Sequence, residues 1–194
     1  MTNLTDLGIA AIRDGVRDGT FSAREVATAF NANVAAAKGL NAFLVETPDH
    51  ALAAADAADA ARVAGNLKPL SGVPIGMKDL FCTEGVTTTA ASSILGGFTP
   101  QYESTVSGKL WSAGAGMLGK LNLDQFAMGS SNETSAFGPV ISPWRRTGSN
   151  AALAPGGRPV VRRRRFRRGF ARVRPAPIPA DRSVNLLLSL AYPG

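Results

Sequence analysis

Helical periodicity dominates the first part of the chain. Apolar residues recur at roughly helical spacing over residues 4–17, which predicts a first helix. A second helix is predicted from Ser22, since its hydroxyl can cap the helix and Glu25, three positions on, can complete a capping box. Gly39 is the expected end of this helix. We interpret residues 1–68 as a helical lead-in.

A short strand and an alanine-rich helix complete that lead-in. The strand is predicted over residues 41–46. The helix is predicted from Asp49 to about Ala64, with Pro48 in its first turn, where the missing N–H costs nothing. Alanine favours a helix strongly but gives this one little volume to bury.

The pattern changes to strand, helix, strand after Pro69. A strand over residues 72–79 feeds a loop, a helix follows over 104–114, and a buried strand covers 115–120. Val106, Leu110 and Trp111 are expected on the inner face of that helix. This order predicts an α/β fold around a largely parallel or mixed sheet.

Composition restricts the classes of function. His50 is the only histidine and Cys82 the only cysteine, which disfavours a histidine-based triad and excludes an internal disulfide. No run of 18 apolar residues occurs, so no membrane span is predicted. The N-terminus lacks a basic segment ahead of an apolar stretch, so no signal peptide is predicted and a cytoplasmic protein is expected.

Charge divides the chain in two. The formal net charge of +7 combines a balance of −4 over residues 1–144 with +11 over residues 145–194, where 12 arginines face one acid. Such an arginine-rich and proline-containing block is expected to be disordered and to bind polyanions.

Lys78 is the first candidate for chemistry. It ends an apolar strand, where burial would lower the pKa of its amine and let it act as a base. The alternative is a surface lysine paired with Asp79, and the residues alone favour this alternative because ordinary lysines far outnumber catalytic ones.

The loop over residues 128–135 is the second candidate. Its glycine, serines, asparagine and threonine offer N–H groups and hydroxyls that can hold an oxyanion or a substrate carbonyl. An ordinary polar turn has the same composition, so both interpretations stay open on these residues alone.

Four stretches together resemble the amidase signature family. They are LSGVPIGMKDLF, TEGVTTTAAS, GKLNLDQFAMGSSNETSAFGPVISPW and PGG, in this order over about residues 5–157. The third is most similar to the glutamine-hydrolysing subunits of tRNA-dependent amidotransferases. The resemblance implies the N-terminal part of the amidase-signature fold, a mixed sheet flanked by helices, with an incomplete core over residues 69–157.

The resemblance also implies a chemistry. The family hydrolyses amides with a Ser-cisSer-Lys triad, and Lys78 matches its lysine. Met128, Gly129 and Ser130 match residues that line the substrate site. No cofactor or metal is implied for this chain. A complex with two further subunits would form a heterotrimer that acts on glutamine and Glu-tRNA(Gln) and uses ATP and Mg²⁺.

The two serines of the triad are missing. After the PGG motif the family has a Gly/Ser-rich run, whereas this chain has arginine at 158 and at 182, where serines are expected 24 residues apart. Reading the degenerate codons one base earlier can turn residues 158–163 into Ser-Ser-Gly-Gly-Ser-Ser and residues 178–185 into Asp-Thr-Gly-Gly-Ser-Ile-Arg-Gln. We therefore predict that Arg158 and Arg182 belong to an out-of-frame, disordered tail over residues 158–194, and that this truncated chain is catalytically inactive.

Two alternatives stay open. The chain could be a fragment of a stand-alone amidase of the same family. It could instead be a non-catalytic protein that binds RNA through the arginines of residues 158–194.

Overall fold

A computed structural model describes residues 3–141, which form four α-helices, three β-strands and four short 3₁₀ helices. The helices are α1 (Ile9–Asp18), α2 (Ala23–Ala36), α3 (Pro48–Val63) and α4 (Thr105–Ser112); the strands are β1 (Phe43–Glu46), β2 (Pro74–Lys78) and β3 (Gly116–Leu121). The 3₁₀ helices are Leu4–Asp6, Lys38–Leu40, Ser93–Leu95 and Gln125–Ala127. The helices and strands predicted in this range are confirmed, and the largest difference in their bounds is at α1, which starts at Ile9 because residues 4–6 form a separate turn.

The start of α2 follows the predicted capping box. Glu25 N–H donates to Ser22 Oγ at 3.1 Å, and Ser22 N–H donates to Glu25 Oε2 at 2.8 Å. The helix ends at Ala36 rather than at Gly39, and the chain then tightens into the 3₁₀ helix Lys38–Leu40. The cap therefore sets the start of α2 more sharply than glycine sets its end.

β3 is the central strand of the described sheet, whose order is β1-β3-β2. β1 runs antiparallel to β3, and β2 runs parallel to it. All six residues of β3 are buried. The predicted mixed sheet is confirmed, and β1 shows that the first 68 residues supply an edge strand to the same sheet as the later ones.

Small side chains let α3 pack closely on the sheet. Ala51, Ala55 and Ala58 form the buried face of α3. A Cβ atom on Gly116 of β3 would lie 3.0 Å from the Ala54 Cβ, so helix and strand approach closely at this point. Larger residues from the surrounding elements fill the core: Ile12, Val16, Val26, Phe30, Val73, Ile75, Met117 and Leu118.

The expected inner face of α4 is wrong in one position. Val106 is 45% exposed, whereas Ser107 is fully buried. Ser104 caps the helix by accepting from the Ser107 N–H at 3.2 Å, and Ser107 faces inward. The Ser107 hydroxyl then donates to the Cys82 carbonyl at 3.1 Å. A hydrogen-bonded serine therefore takes the place that the apolar pattern gave to valine.

None of the helices within residues 3–141 has both the length and the apolar character needed to cross a membrane. Arg158 and Arg182 lie outside the described residues, as do the predicted change of reading frame after about Gly157 and the predicted disorder of the tail.

Candidate active site

The carboxyl ends of β2 and β3 meet at one edge of the sheet because the two strands are parallel. Lys78, the last residue of β2, lies opposite Leu121, the last residue of β3. Asp79 N–H continues the pairing by donating to the Leu121 carbonyl at 3.0 Å. The loops that follow the two strands therefore start side by side, which is where ligands bind in open sheets of parallel strands.

Lys78 is partly buried at this edge, after four residues of β2 that are fully buried. Asp79, the surface partner that the sequence suggested for it, is fully buried, so the interpretation of a simple surface pair is wrong. Strand geometry explains the difference, since successive side chains point to opposite faces. The pattern identified an apolar strand but not the buried acid that follows it.

Lys120 is a buried lysine that the sequence reasoning missed. It lies in the middle of the sheet on β3 and is fully buried. Its Nζ donates to Thr88 Oγ1 at 2.9 Å, to Thr83 Oγ1 at 3.2 Å and to the Phe81 carbonyl. Burial lowers the pKa of Lys120 to about 8, although the nearby Asp79 carboxylate favours the charged form. The sequence did place this lysine inside a predicted buried strand. That was the available signal of its role, because a buried charge needs hydrogen-bonding or charged partners.

Asp79 organises the loop that follows β2. Its Oδ2 accepts hydrogen bonds from the Thr89 N–H at 3.0 Å, from the Thr89 hydroxyl, and from the Ala91 N–H at 3.4 Å. Its carbonyl accepts from the Ala90 N–H at 3.0 Å. Ala90 and Ala91 have φ values of 50° and 53°, a left-handed conformation that costs about 1–2 kcal/mol per residue. The buried carboxylate therefore holds a strained turn beside the end of β2.

Asp124 organises the polar loop that follows β3, as Asp79 organises the loop that follows β2. Its carboxylate accepts from the N–H groups of Asn132 at 2.8 Å, Ser131 at 3.0 Å and Thr134 at 3.1 Å, and from the Thr134 hydroxyl at 2.9 Å. Burial raises the pKa of Asp124, but these hydrogen bonds outweigh it and the net pKa is lowered. The loop is therefore folded around an ionised carboxylate.

Met128, Gly129 and Ser130 lie at the open apex of this loop. All three are exposed, and Met128 is 85% exposed. A Cβ on Gly129 would lie 2.7 Å from the Asp124 carboxyl carbon, so this position requires glycine. The glycine thus lets the loop close over the Asp124 carboxylate, and the role of these residues in substrate binding stays a prediction.

Backbone hydrogen bonds join the two loops. Phe126 N–H donates to the Ala90 carbonyl at 2.9 Å, and Ala136 N–H donates to the Ala91 carbonyl at 2.9 Å. The Gln125 amide adds a bond to Ser92 Oγ at 2.7 Å. The structure therefore brings the loop of residues 128–135 and the end of β2 together at one sheet edge, although they are about 50 residues apart in sequence.

The model of the amidase family matches residues 25–157, which include β2, β3 and both loops. The chain belongs to the amidase family. The resemblance expected from the motifs is confirmed, including its closeness to amidotransferase subunits.

Known amidases agree in sequence and in fold. The glutamyl-tRNA(Gln) amidotransferase A-subunit of Sphingopyxis alaskensis is 79% identical over 158 residues, which cover 81% of this chain and 32% of that protein. The structure of the native peptide amidase of Stenotrophomonas maltophilia superimposes with a TM-score of 0.65 at 29% identity, over 72% of this chain and 30% of the peptide amidase. The structure of the glutamyl-tRNA(Gln) amidotransferase A-subunit of Thermotoga maritima superimposes with a TM-score of 0.55 at 27% identity. The match covers 74% of this chain and 29% of the Thermotoga maritima subunit.

The chain spans about a third of the length of the curated relatives it matches. The family is one of amide-hydrolysing enzymes, and the confirmed part of its fold is the α/β layer of a mixed sheet and helices described above. The positions at which the triad serines are expected, 158 and 182, lie outside the described residues.

Proposed function

We propose that the chain derives from the glutamine-hydrolysing subunit of a tRNA-dependent amidotransferase. The observation that carries this proposal is the 79% identity over 158 residues to the Sphingopyxis alaskensis A-subunit, a degree of likeness that includes both loops of the site. In such a complex the amide of glutamine supplies the ammonia that converts Glu-tRNA(Gln) to Gln-tRNA(Gln).

Lys78 is the proposed general base of amide hydrolysis. In the intact enzyme its amine would take a proton through the bridging serine, so that the second serine attacks the amide carbonyl carbon. The C–N bond breaks, the leaving nitrogen takes a proton and departs as ammonia, and water then releases the acyl group from the serine. The position of Lys78 at the end of β2, on the sheet edge from which both loops start, supports this assignment.

Met128, Gly129 and Ser130 are the proposed substrate-binding residues. Their exposure at the apex leaves their polar groups accessible to a bound amide, and Gly129 lets the loop close over the Asp124 carboxylate that holds it. The proposed partners are glutamine, Glu-tRNA(Gln) and two further subunits, which would use ATP and Mg²⁺ to activate the glutamate. No cofactor is proposed for this chain itself.

We further propose that residues 158–194 are read out of frame. The family match ends at residue 157, next to the Gly156 and Gly157 codons in which the change of frame is expected. A one-base change within the Gly156 and Gly157 codons would restore serines at 158 and 182 with their separation of 24 residues. The chain as it stands would then be inactive, because Lys78 has no serine to activate.

Sequencing of the coding DNA tests the frame directly. Read one base back from position 158, it is expected to spell both serine motifs, and a DNA that fails to do so rejects the proposal.

An activity assay tests the function. The purified chain is expected to release no ammonia from glutamine. The frame-restored gene, expressed with its two partner subunits, is expected to release ammonia and to make Gln-tRNA(Gln). In that protein Lys78→Ala should lower kcat about a thousandfold or more, while Lys109→Ala on the exposed side of α4 should leave it unchanged.

A stand-alone amidase is the second candidate. The likeness to the peptide amidase of Stenotrophomonas maltophilia, with the higher TM-score of 0.65, favours it. Hydrolysis of simple amides by the restored protein without partner subunits would support this candidate. A dependence on two partners and on Glu-tRNA(Gln) would support the first.

A further inference from the structure

Lys120 and Asp79 form a buried ion pair between β3 and the end of β2. Both side chains are fully buried, and the Lys120 Nζ lies 4.0 Å from Asp79 Oδ1. A buried pair adds little net stability, since the loss of hydration offsets most of the attraction between the charges. The contacts of the pair show instead what it holds in place.

The acid of the pair holds the left-handed turn at Ala90 and Ala91. Asp79 Oδ2 accepts from the N–H groups of Thr89 and Ala91, at 3.0 and 3.4 Å, while the Asp79 carbonyl accepts from Ala90. Two consecutive residues with positive φ persist only where surrounding contacts impose that conformation. The carboxylate supplies those contacts on one side, and Lys120 compensates its charge on the other.

The Ala90–Ala91 turn also holds the loop of residues 128–130 on both sides of its apex. The Ala90 carbonyl accepts from Phe126 N–H, and the Ala91 carbonyl accepts from Ala136 N–H, each at 2.9 Å. Phe126 precedes the exposed residues 128–130 and Ala136 follows them. A shift of the turn therefore moves the apex at both of its attachment points.

We propose that Lys120 is a positioning residue of the candidate active site, which acts through Asp79 and the Ala90–Ala91 turn to fix Met128–Ser130 relative to Lys78. The inference rests on the proposed function only in treating that apex and Lys78 as one site. The contacts themselves hold whatever the reaction is.

Two variants and one control test whether Lys120 acts through Asp79 and the Ala90–Ala91 turn. Lys120→Met removes the charge at similar volume and leaves the Asp79 carboxylate unpaired. In the double variant Lys120→Met with Asp79→Asn, the neutral amide can still accept from Thr89 and Ala91. Lys109→Met, on the exposed side of α4, is the matched control. Amide exchange is measured by NMR on the full chain, and catalysis is not needed.

In Lys120→Met, exchange at Phe126 and Ala136 is expected to rise about tenfold or more, while exchange in α2, for example at Phe30, changes by less than about twofold. The double variant is expected to restore protection at Phe126 and Ala136, although it still lacks the lysine. The proposal is overturned if the double variant exchanges at Phe126 and Ala136 as fast as Lys120→Met does. It is also overturned if exchange in α2 rises by the same factor. Either result would mean that Lys120 stabilises the fold only through its packing.

If Lys120→Met does not fold, titration of the unsubstituted chain replaces it. As the pH rises from about 7 to about 9.5 Lys120 loses its charge, with Asp79, Cys82 and Glu103 as the charged or ionisable groups that act on it. The amide shifts of Phe126 and Ala136 should move with that titration in the unsubstituted chain and not in the double variant. Equal amide shifts in the unsubstituted chain and in the double variant would reject the proposed role of Lys120. Because no activity is measured, this outcome is independent of whether the glutamine-hydrolysing function is correct.

Discussion

His50 Nδ1 accepts a hydrogen bond from the Met117 N–H at 3.1 Å, which ties the first turn of α3 to β3. The imidazole also packs against Trp111, with ring centroids 5.1 Å apart. A ring that accepts through Nδ1 is neutral and carries its proton on Nε2. Burial lowers the pKa of His50, an effect that the nearby Glu103 carboxylate only partly offsets.

Acid should therefore weaken the fold through this one residue. Because the folded pKa of His50 lies below its ordinary value of about 6.5, the unfolded chain binds the proton more readily. The contribution is present above about pH 6.5 and is lost as the pH falls below it. Urea midpoints at about pH 7.5 and about pH 5.5, compared between the unsubstituted chain and a variant without this histidine, measure the effect. The variant His50→Phe should be less stable at the higher pH but should lose less between the two pH values; an equal loss in both proteins would contradict the assignment.

Asp59 should matter much more than its neighbour Asp56. Asp59, on α3, accepts from the N–H groups of Ala23 at 2.8 Å and Arg24 at 3.1 Å, so it satisfies the first turn of α2 from another helix. Asp56 pairs with Arg24 at the surface, where both side chains are more than half exposed. Asp59→Ala is expected to lower the free energy of unfolding by about 1–2 kcal/mol. Asp56→Ala should cost less than about 0.5 kcal/mol.

Urea unfolding of the two alanine variants measures this difference. Arg24→Ala serves as a further control, because it removes the surface pair and leaves the N–H contacts of Asp59 in place. Equal losses for Asp59→Ala and Asp56→Ala would show that charge near the helix start, rather than the two hydrogen bonds, stabilises α2.

Local signals in the sequence were sufficient for most of the fold. The Ser22–Glu25 box and Pro48 act over a few residues, so they locate α2 and α3 without knowledge of the rest of the chain. Pairing of strands is not local. The antiparallel contact of β1 with β3 joins residues more than 70 positions apart. No hairpin turn connects these strands, so no local sequence signal predicts their pairing.

The site was predicted in part for the same reason. Lys78 and the loop apex were found because their motifs are contiguous, and the structure places both at one sheet edge. The pairing of Asp79 with Lys120 joins residues that are distant in sequence, and the identity of a charged residue does not show whether it is buried. A lysine inside an apolar strand was the one usable sign of burial. The partners of Asp124 lie within its own loop, but the sequence does not show that the loop folds around this carboxylate.

Asp124 is expected to hold the polar loop, whereas Glu133 of the same loop is not. Asp124 accepts three backbone N–H bonds and one hydroxyl bond. Glu133 accepts one exposed hydroxyl bond from Ser131 at 3.1 Å. Asp124→Ala should cost about 1–3 kcal/mol because it removes four hydrogen bonds to a buried carboxylate, and Glu133→Gln should be nearly neutral. Amide exchange at Asn132 and Thr134 checks the mechanism, since both should lose protection in Asp124→Ala; retained protection there would assign the loop's order to other contacts.

Gly119 should be the glycine of β3 that tolerates no side chain. A Cβ there would overlap the Val45 carbonyl oxygen and lie 2.9 Å from the Phe43 ring, so β1 would have to move away from the central strand. Gly119→Ala is therefore expected to cost about 3 kcal/mol or more, in the range of severe packing conflicts. Gly39→Ala is the control, because no atom lies within 4 Å of a Cβ at that position. Thermal unfolding of both variants measures the contrast. A Gly119→Ala protein as stable as Gly39→Ala would mean that β1 can separate from β3 at little cost, and that the lead-in strand contributes little to the sheet.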